Sequence, residues 1–160
     1  MLEKEYNECV RLYADGVYRF IIKNLKHVED SKDVVQGSFE KLWVNKSKVD
    51  VLTAKNYLFT IAYNLMIDHI RKNKRTVLKN EISQEMSTTS FKTNGKRILN
   101  EALANLSETQ RSLIMLKDYE GYSYKEIGDI TGLNESQVKV YLHRARLQLR
   151  EYIVNPENVI

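Results

Sequence analysis

Proline and cysteine are almost missing from this chain of 160 residues, where each occurs once, as Pro156 and Cys9. With proline confined to the last few residues and no β-branched runs that alternate as strands do, nothing interrupts helical hydrogen bonding and an all-α fold is expected. A lone cysteine cannot close an intramolecular disulfide. Cys9 also lacks a local Cys or His partner and reads as a buried or idle thiol in a reducing, cytoplasmic setting. No apolar run approaches membrane-spanning length, and the opening residues MLEKEYNE carry acids where a secretion signal needs a basic start and an apolar core, so no membrane insertion is expected. His27, His69 and His143 are scattered without metal-ligand spacing, and no Gly-rich phosphate loop precedes a helix. Catalysis, metal, cofactor and small-molecule substrate are therefore all absent from the expected function.

The richest part of what remains is Gly121 to Arg150, GYSYKEIGDITGLNESQVKVYLHRARLQLR. Ser123 with Glu126, and Asn134 with Gln137, fit the capping box that starts a helix, and each cap contributes about 1 kcal/mol. Between the two helices Thr131-Gly132-Leu133 supplies a residue free to take positive φ, so the turn is sharp. Gly128 costs roughly 1 kcal/mol relative to alanine inside the first helix, a cost offset if the second helix crosses closely there. Val138, Leu142, Ala145 and Leu149 recur at i, i+4, i+7 and i+11 as the inward stripe. Other faces carry Ser136, Gln137, Lys139, Val140, His143 and Arg144, side chains able to reach base edges and phosphates, and no acid stands between Glu135 and Glu151. A further box, Ser107 with Gln110, opens the preceding helix, whose Leu113, Ile114 and Leu116 give the hairpin something to pack on.

The formal charge of +4 is mild, but the basic residues bunch twice, at Arg71, Lys72, Lys74, Arg75 and Lys79 and again at Lys139, Arg144, Arg146 and Arg150. Two separate contacts with a polyanion are expected. Helical spacing runs through Val10, Tyr13, Val17, Phe20 and Ile21, then Val35, Phe39 and Leu42, then Leu58, Ile61, Ala62 and Leu65, giving three amphipathic helices. After Arg75 the pattern dissolves into the Ser/Thr-rich TVLKNEISQEMSTTSFKTNGK, and it resumes near Arg97 with Ile98, Leu99, Leu103 and Leu106. The expected organisation is thus a first helical domain over residues 1–75, a flexible linker over 76–96, a second helical domain over 97–153 and a tail over 154–160. A linker of about twenty residues reaches at most roughly 70 Å, about twice one turn of duplex DNA, so the two basic domains could touch sites more than a turn apart.

The second and third helices hold DSKDVVQGSFEKLW at Asp30 to Trp43 and NYLFTIAYNLMIDHIRKNKR at Asn56 to Arg75. With these residues the chain resembles the sigma-70 family of bacterial RNA polymerase specificity subunits, in particular the small extracytoplasmic-function (ECF) class that has only regions 2 and 4. D-x-x-Q-x-x-F-x-x-L-W is similar to region 2.2, N-Y-L-x-x-I-A-x-N-x-x-x-D-x-x-R-K to regions 2.3 and 2.4, and Leu106 to Glu151 to region 4. The resemblance implies a region 2 helical bundle and a region 4 helix-turn-helix.

It further implies that the region 2.2 helix docks on core RNA polymerase through Asp33, Gln36, Phe39 and Trp43. Asp33 and Gln36 offer hydrogen bonds beside aromatic anchors, as interface hot spots do, whereas Phe39 and Trp43 suit either an anchor or the core. The family usually has an acid after the glutamine, where this chain has Gly37. Asn64, Asp68, Arg71 and Lys72 match the motif of the helix that takes the downstream, −10 element of promoter DNA, followed by Lys74 and Arg75 as phosphate partners. That work needs cations along a backbone track and surfaces on which unstacked bases lodge. Alternatively, Lys74 and Arg75 complete a solvated helix end, and Asp68 pairs locally with Arg71. Residues Asn45 to Asn56 correspond to the loop that pockets a flipped base. The helix Glu135 to Arg150 corresponds to the reader of the upstream, −35 element, with Val140 suited to a thymine methyl. Small family members are typically held by an anti-sigma factor, which makes one an expected partner. The competing reading is a stand-alone helix-turn-helix regulator, which would bind duplex DNA tightly without polymerase, as a dimer on paired half-sites.

Overall fold

The computed structural model describes the backbone of residues 1–77 and 94–155, and the side chains of 1–74 and 95–155. Most of the expected linker, the end of the tail, Lys79 and the Arg75 side chain lie outside the described residues. Seven α-helices and no strand occur among the described residues, as the scarcity of proline and of strand alternation requires. The chain divides into two compact units, Met1–Gln84 with Asp129–Gly132, and Glu85–Gly128 with Leu133–Ile160.

The first unit packs three helices mutually: α1 (Glu3–Leu25), α2 (Val28–Val44) and α3 (Val51–Val77), with a single 3-10 turn at Lys46–Lys48 between the last two. Val17, Phe20 and Ile21 from α1, Leu42 from α2 and Leu58, Phe59 and Met66 from α3 are fully or almost fully buried, and the Phe20 and Phe59 rings meet at 5.7 Å. The corner between α1 and α2 turns on Lys26, whose φ of 56° closes α1 while its N–H donates to the Ile22 carbonyl at 2.9 Å. His27 then caps α2, its Nδ1 accepting from the Asp30 N–H at 3.2 Å, a role its position in the sequence did not announce. The buried Ser31 and Ser38 hydroxyls donate back to the His27 and Val34 carbonyls, each at 2.7 Å. That satisfies their polarity within α2 and lets small residues face the core. Gly37 is half-buried, and a Cβ there would stand 3.4 Å from Leu65 Cδ1 of α3, an ordinary contact with a flexible side-chain tip.

The second unit contains α4 (Asn94–Ala104), α5 (Glu108–Ile114), the start of α6 (Tyr124–Thr131) as far as Gly128, and α7 (Glu135–Val154). α3 runs to Val77 and α4 begins at Asn94, so each extends a little into the segment expected as linker. α4 and α5 both pack on α7. The corner between α4 and α5 is held by Arg111, which is 6% exposed; its Nε donates to the Leu103 carbonyl at 2.9 Å and its terminal nitrogen to Leu106 at 2.7 Å and Ala104 at 3.3 Å. Burial holds this guanidinium below the usual arginine range, opposed in smaller part by Glu108. The end of α5 widens into a π-helical turn, Met115–Tyr119, where the Glu120 N–H reaches the Met115 carbonyl at 3.0 Å. Gly121, at φ 76°, then ends the helix.

Candidate nucleic-acid interface

All three expected capping boxes form, and they open the last three helices, α5, α6 and α7. Ser107 Oγ accepts from the Gln110 N–H at 3.2 Å, Ser123 Oγ from the Glu126 N–H at 3.1 Å, and Asn134 Oδ1 from the Gln137 N–H at 2.8 Å. The returning bonds from the cap N–H groups to Gln110, Glu126 and Gln137 are made as well. Gly132, at φ 82°, supplies the positive-φ turn between α6 and α7. Gly128 requires a correction. A Cβ there would meet the backbone carbonyl oxygen of Leu133 at 2.7 Å, so the glycine makes room for the incoming turn and not for the crossing helix.

On α7, Val138, Leu142 and Ala145 are buried and Leu149 is half-buried, which fixes the rotation of the helix. Ser136, Lys139, Val140, His143 and Arg144 are exposed on its other faces. Gln137 is half-buried, and its side-chain oxygen is committed to the cap. Arg146 is tied to Asp118, 28 residues earlier, at 2.6 Å through its terminal nitrogen and 3.4 Å through Nε. That hydrogen bond is the main reason its pKa is raised above the ordinary arginine value.

On α3, Asn64, Asp68 and Arg71 recur at i, i+4 and i+7 and are exposed, with Lys72 and Lys74 exposed beside them. Asp68 and Arg71 approach to 3.9 Å, a solvated pair of little energetic weight that leaves the guanidinium accessible. His69, on the same helix, meets Asp30 of α2 at 3.1 Å and Asn73 at 3.0 Å. It thereby ties this basic stretch to the start of α2, a contact between residues 39 apart that no local pattern signals.

On α2 the four expected docking residues separate. Asp33 and Gln36 are exposed on one face, where Gln36 donates to Glu40 at 3.2 Å. Phe39 is 8% exposed and turns inward, edge-on to Tyr6 at 6.5 Å, while the Tyr6 hydroxyl donates to the Phe39 carbonyl at 3.1 Å. Trp43 stays 40% exposed, with Tyr6 at 4.9 Å against its ring and the Lys46 ammonium 3.3 Å from its centroid. The open alternative is thereby divided: Phe39 is core, and Trp43 sits at the edge of the exposed face.

These two basic helix faces, one in each unit, coincide with two family matches. Sigma-70 region 2 matches residues 9–76, and Sigma-70 region 4 matches residues 96–149. The chain belongs to the sigma-70 family. Within it the chain is an ECF-type RNA polymerase sigma factor. It is 25% identical over 150 residues to the ECF RNA polymerase sigma factor SigM of Bacillus subtilis, covering 90% of this chain and 92% of that one. To the RNA polymerase sigma factor SigV of the same organism it is 29% identical over 149 residues, with 89% and 87% covered. Among solved structures, the sigma factor RpoE of Bartonella quintana, in complex with the anti-sigma factor NepR, superposes with a TM-score of 0.80 at 25% identity. That likeness covers 94% of this chain and 97% of RpoE. No helix among the described residues of this sigma factor is long and apolar enough to cross a membrane, and no group of three or more His, Cys, Asp or Glu side chains there is placed to hold a metal ion.

Proposed function

We propose that this sigma factor binds core RNA polymerase and directs it to promoters by reading two DNA elements with separate helices. The observation that carries the proposal is the pairing of an exposed cationic face on α3 with an exposed, acid-poor face on α7, each inside its own matched sigma region. In this scheme residues 1–75 serve polymerase docking and the downstream element, 97–153 the upstream element, and 76–96 the connection. Asp33 and Gln36 hydrogen-bond to polymerase beside the Trp43 edge, with Phe39 supporting that helix from the core. Asn64, Asp68, Arg71, Lys72 and Lys74, continued by Arg75, hold the opened downstream strand, where cations follow the backbone and unstacked bases lodge. Ser136, Lys139, Val140, His143 and Arg144 face the upstream element, and Gln137 chiefly sets the direction of α7.

The factor itself performs no chemistry: nucleotide addition belongs to the polymerase, in the cytoplasm. An anti-sigma protein is the partner proposed to hold it inactive, by analogy with the RpoE complex. In vitro transcription with purified core enzyme on a library of upstream sequences tests the whole scheme. Start sites that depend on this chain and share two spaced motifs are expected, and their absence overturns it. A gel shift without polymerase separates it from the stand-alone regulator, which alone predicts tight, specific binding by the free protein.

A further inference from the structure

Tyr124, the first residue of α6, gathers cations from two other segments of the second unit. The Lys117 ammonium, from the π-helical end of α5, stands 4.7 Å from its ring centroid, and the Lys139 ammonium, from α7, stands 5.5 Å away. Arg146, seven residues beyond Lys139 and so on the same side of α7, also feels this phenol, which adds to the dominant effect of Asp118 in raising the guanidinium pKa. Like charges brought this close repel, and the negative face of an aromatic ring offsets that repulsion while holding each ammonium in place. Two acids share the neighbourhood. Asp118 is committed to Arg146, and Glu135 lies 3.6 Å from Lys139 in a pair more than half exposed on both sides. A solvated pair of that kind yields readily to a competing anion, so Lys117, and Lys139 once Glu135 is displaced, are the cations of the cluster that Asp118 does not hold.

We propose that Tyr124 is a positioning residue that arrays Lys117 and Lys139 as a grip on the phosphodiester backbone beside the upstream promoter element. The proposal rests on the reading of α7 as the helix that faces that element. Lys139 lies one turn from Ser136 and next to Val140, so a duplex laid along those residues brings its backbone to the cluster. The grip adds affinity and fixes the register of the helix while carrying no base preference, as phosphate contacts do. Lys117, outside the recognition helix, is the member that sequence inspection of the helix-turn-helix passes over.

The test uses holoenzyme reconstituted from core polymerase and the full chain, with its affinity for promoter duplex followed over about 50 to 200 mM salt, the range in which phosphate contacts are counted. Lys117→Ala is expected to weaken binding on the order of tenfold near 0.1 M salt and to flatten the log–log salt slope by about 0.9, the signature of one lost contact. The ranking of upstream-element variants stays as in the wild type. Tyr124→Phe keeps the ring and the affinity, whereas Tyr124→Leu keeps every lysine yet behaves like Lys117→Ala. A wild-type slope for Lys117→Ala overturns the grip, and equal affinity for Tyr124→Leu and Tyr124→Phe overturns the role of the ring. Lys117 is only half-buried, so its variant remains informative if Tyr124→Leu fails to fold. Failure of the underlying reading shows elsewhere: Arg144→Ala would leave the ranking of upstream sequences unchanged.

Discussion

The carbonyl oxygen of Leu133 lies 2.7 Å from the point a Cβ on Gly128 would occupy. In an ordinary helix Gly→Ala stabilises by about 1 kcal/mol. Here the sign reverses, because a backbone carbonyl fixed between Gly132 and the Asn134 cap cannot swing aside as a side-chain tip would. Gly128→Ala is expected to destabilise the second unit by about 1–3 kcal/mol, the usual cost of overpacking, and to reduce upstream-element use. Urea unfolding of the two proteins checks it. A more stable alanine variant would show that the turn relaxes freely.

Arg111 makes a second prediction, because its guanidinium satisfies three carbonyls at the α4–α5 corner. Arg111→Met fills similar space but strands those acceptors, and the loss of buried, charge-assisted hydrogen bonds is expected to cost about 2–3 kcal/mol. Arg111→Lys recovers little, since an ammonium cannot reproduce the planar fork. Thermal unfolding of the three proteins measures the order.

Replacing both Arg71 and Lys72 with alanine removes exposed cations from α3 without touching the core. Affinity for core polymerase is expected to stay within about twofold while permanganate reactivity of the downstream thymines falls by at least the roughly tenfold effect that loss of a phosphate contact has on binding near 0.1 M salt. The converse pattern, weak docking with normal opening, would move these residues to the polymerase interface.

Cys9 is 3% exposed. Burial pushes its thiol above the usual cysteine range, with Glu5 and Glu8 adding to the effect. A raised pKa disfavours the thiolate, which is the reactive species, and burial also keeps the reagent out, so iodoacetamide should alkylate the folded chain at neutral pH at least about tenfold more slowly than free cysteine. Raising the pH should speed the reaction at pH values above those at which free cysteine responds. Unfolding in urea should abolish the difference, and rapid alkylation of the folded protein would place Cys9 at the surface.

The sequence alone determined the helical class, the starts of α5, α6 and α7, the glycine turn and the inward stripe of α7. Each depends on partners within one or two helical turns: a cap and the N–H three residues on, or apolar residues at i, i+4 and i+7. Such partners share a window in which spacing is geometry. The tertiary structure decided the rest. Phe39 and Trp43 are both large, aromatic and one turn apart, and both meet Tyr6 of α1, yet the packed helices bury the first and leave the second 40% exposed. The same holds for His69 with Asp30 and for Arg146 with Asp118. A polar pair spanning tens of residues has no period to betray it, because its distance is set by how helices pack and not by the rise along any one of them.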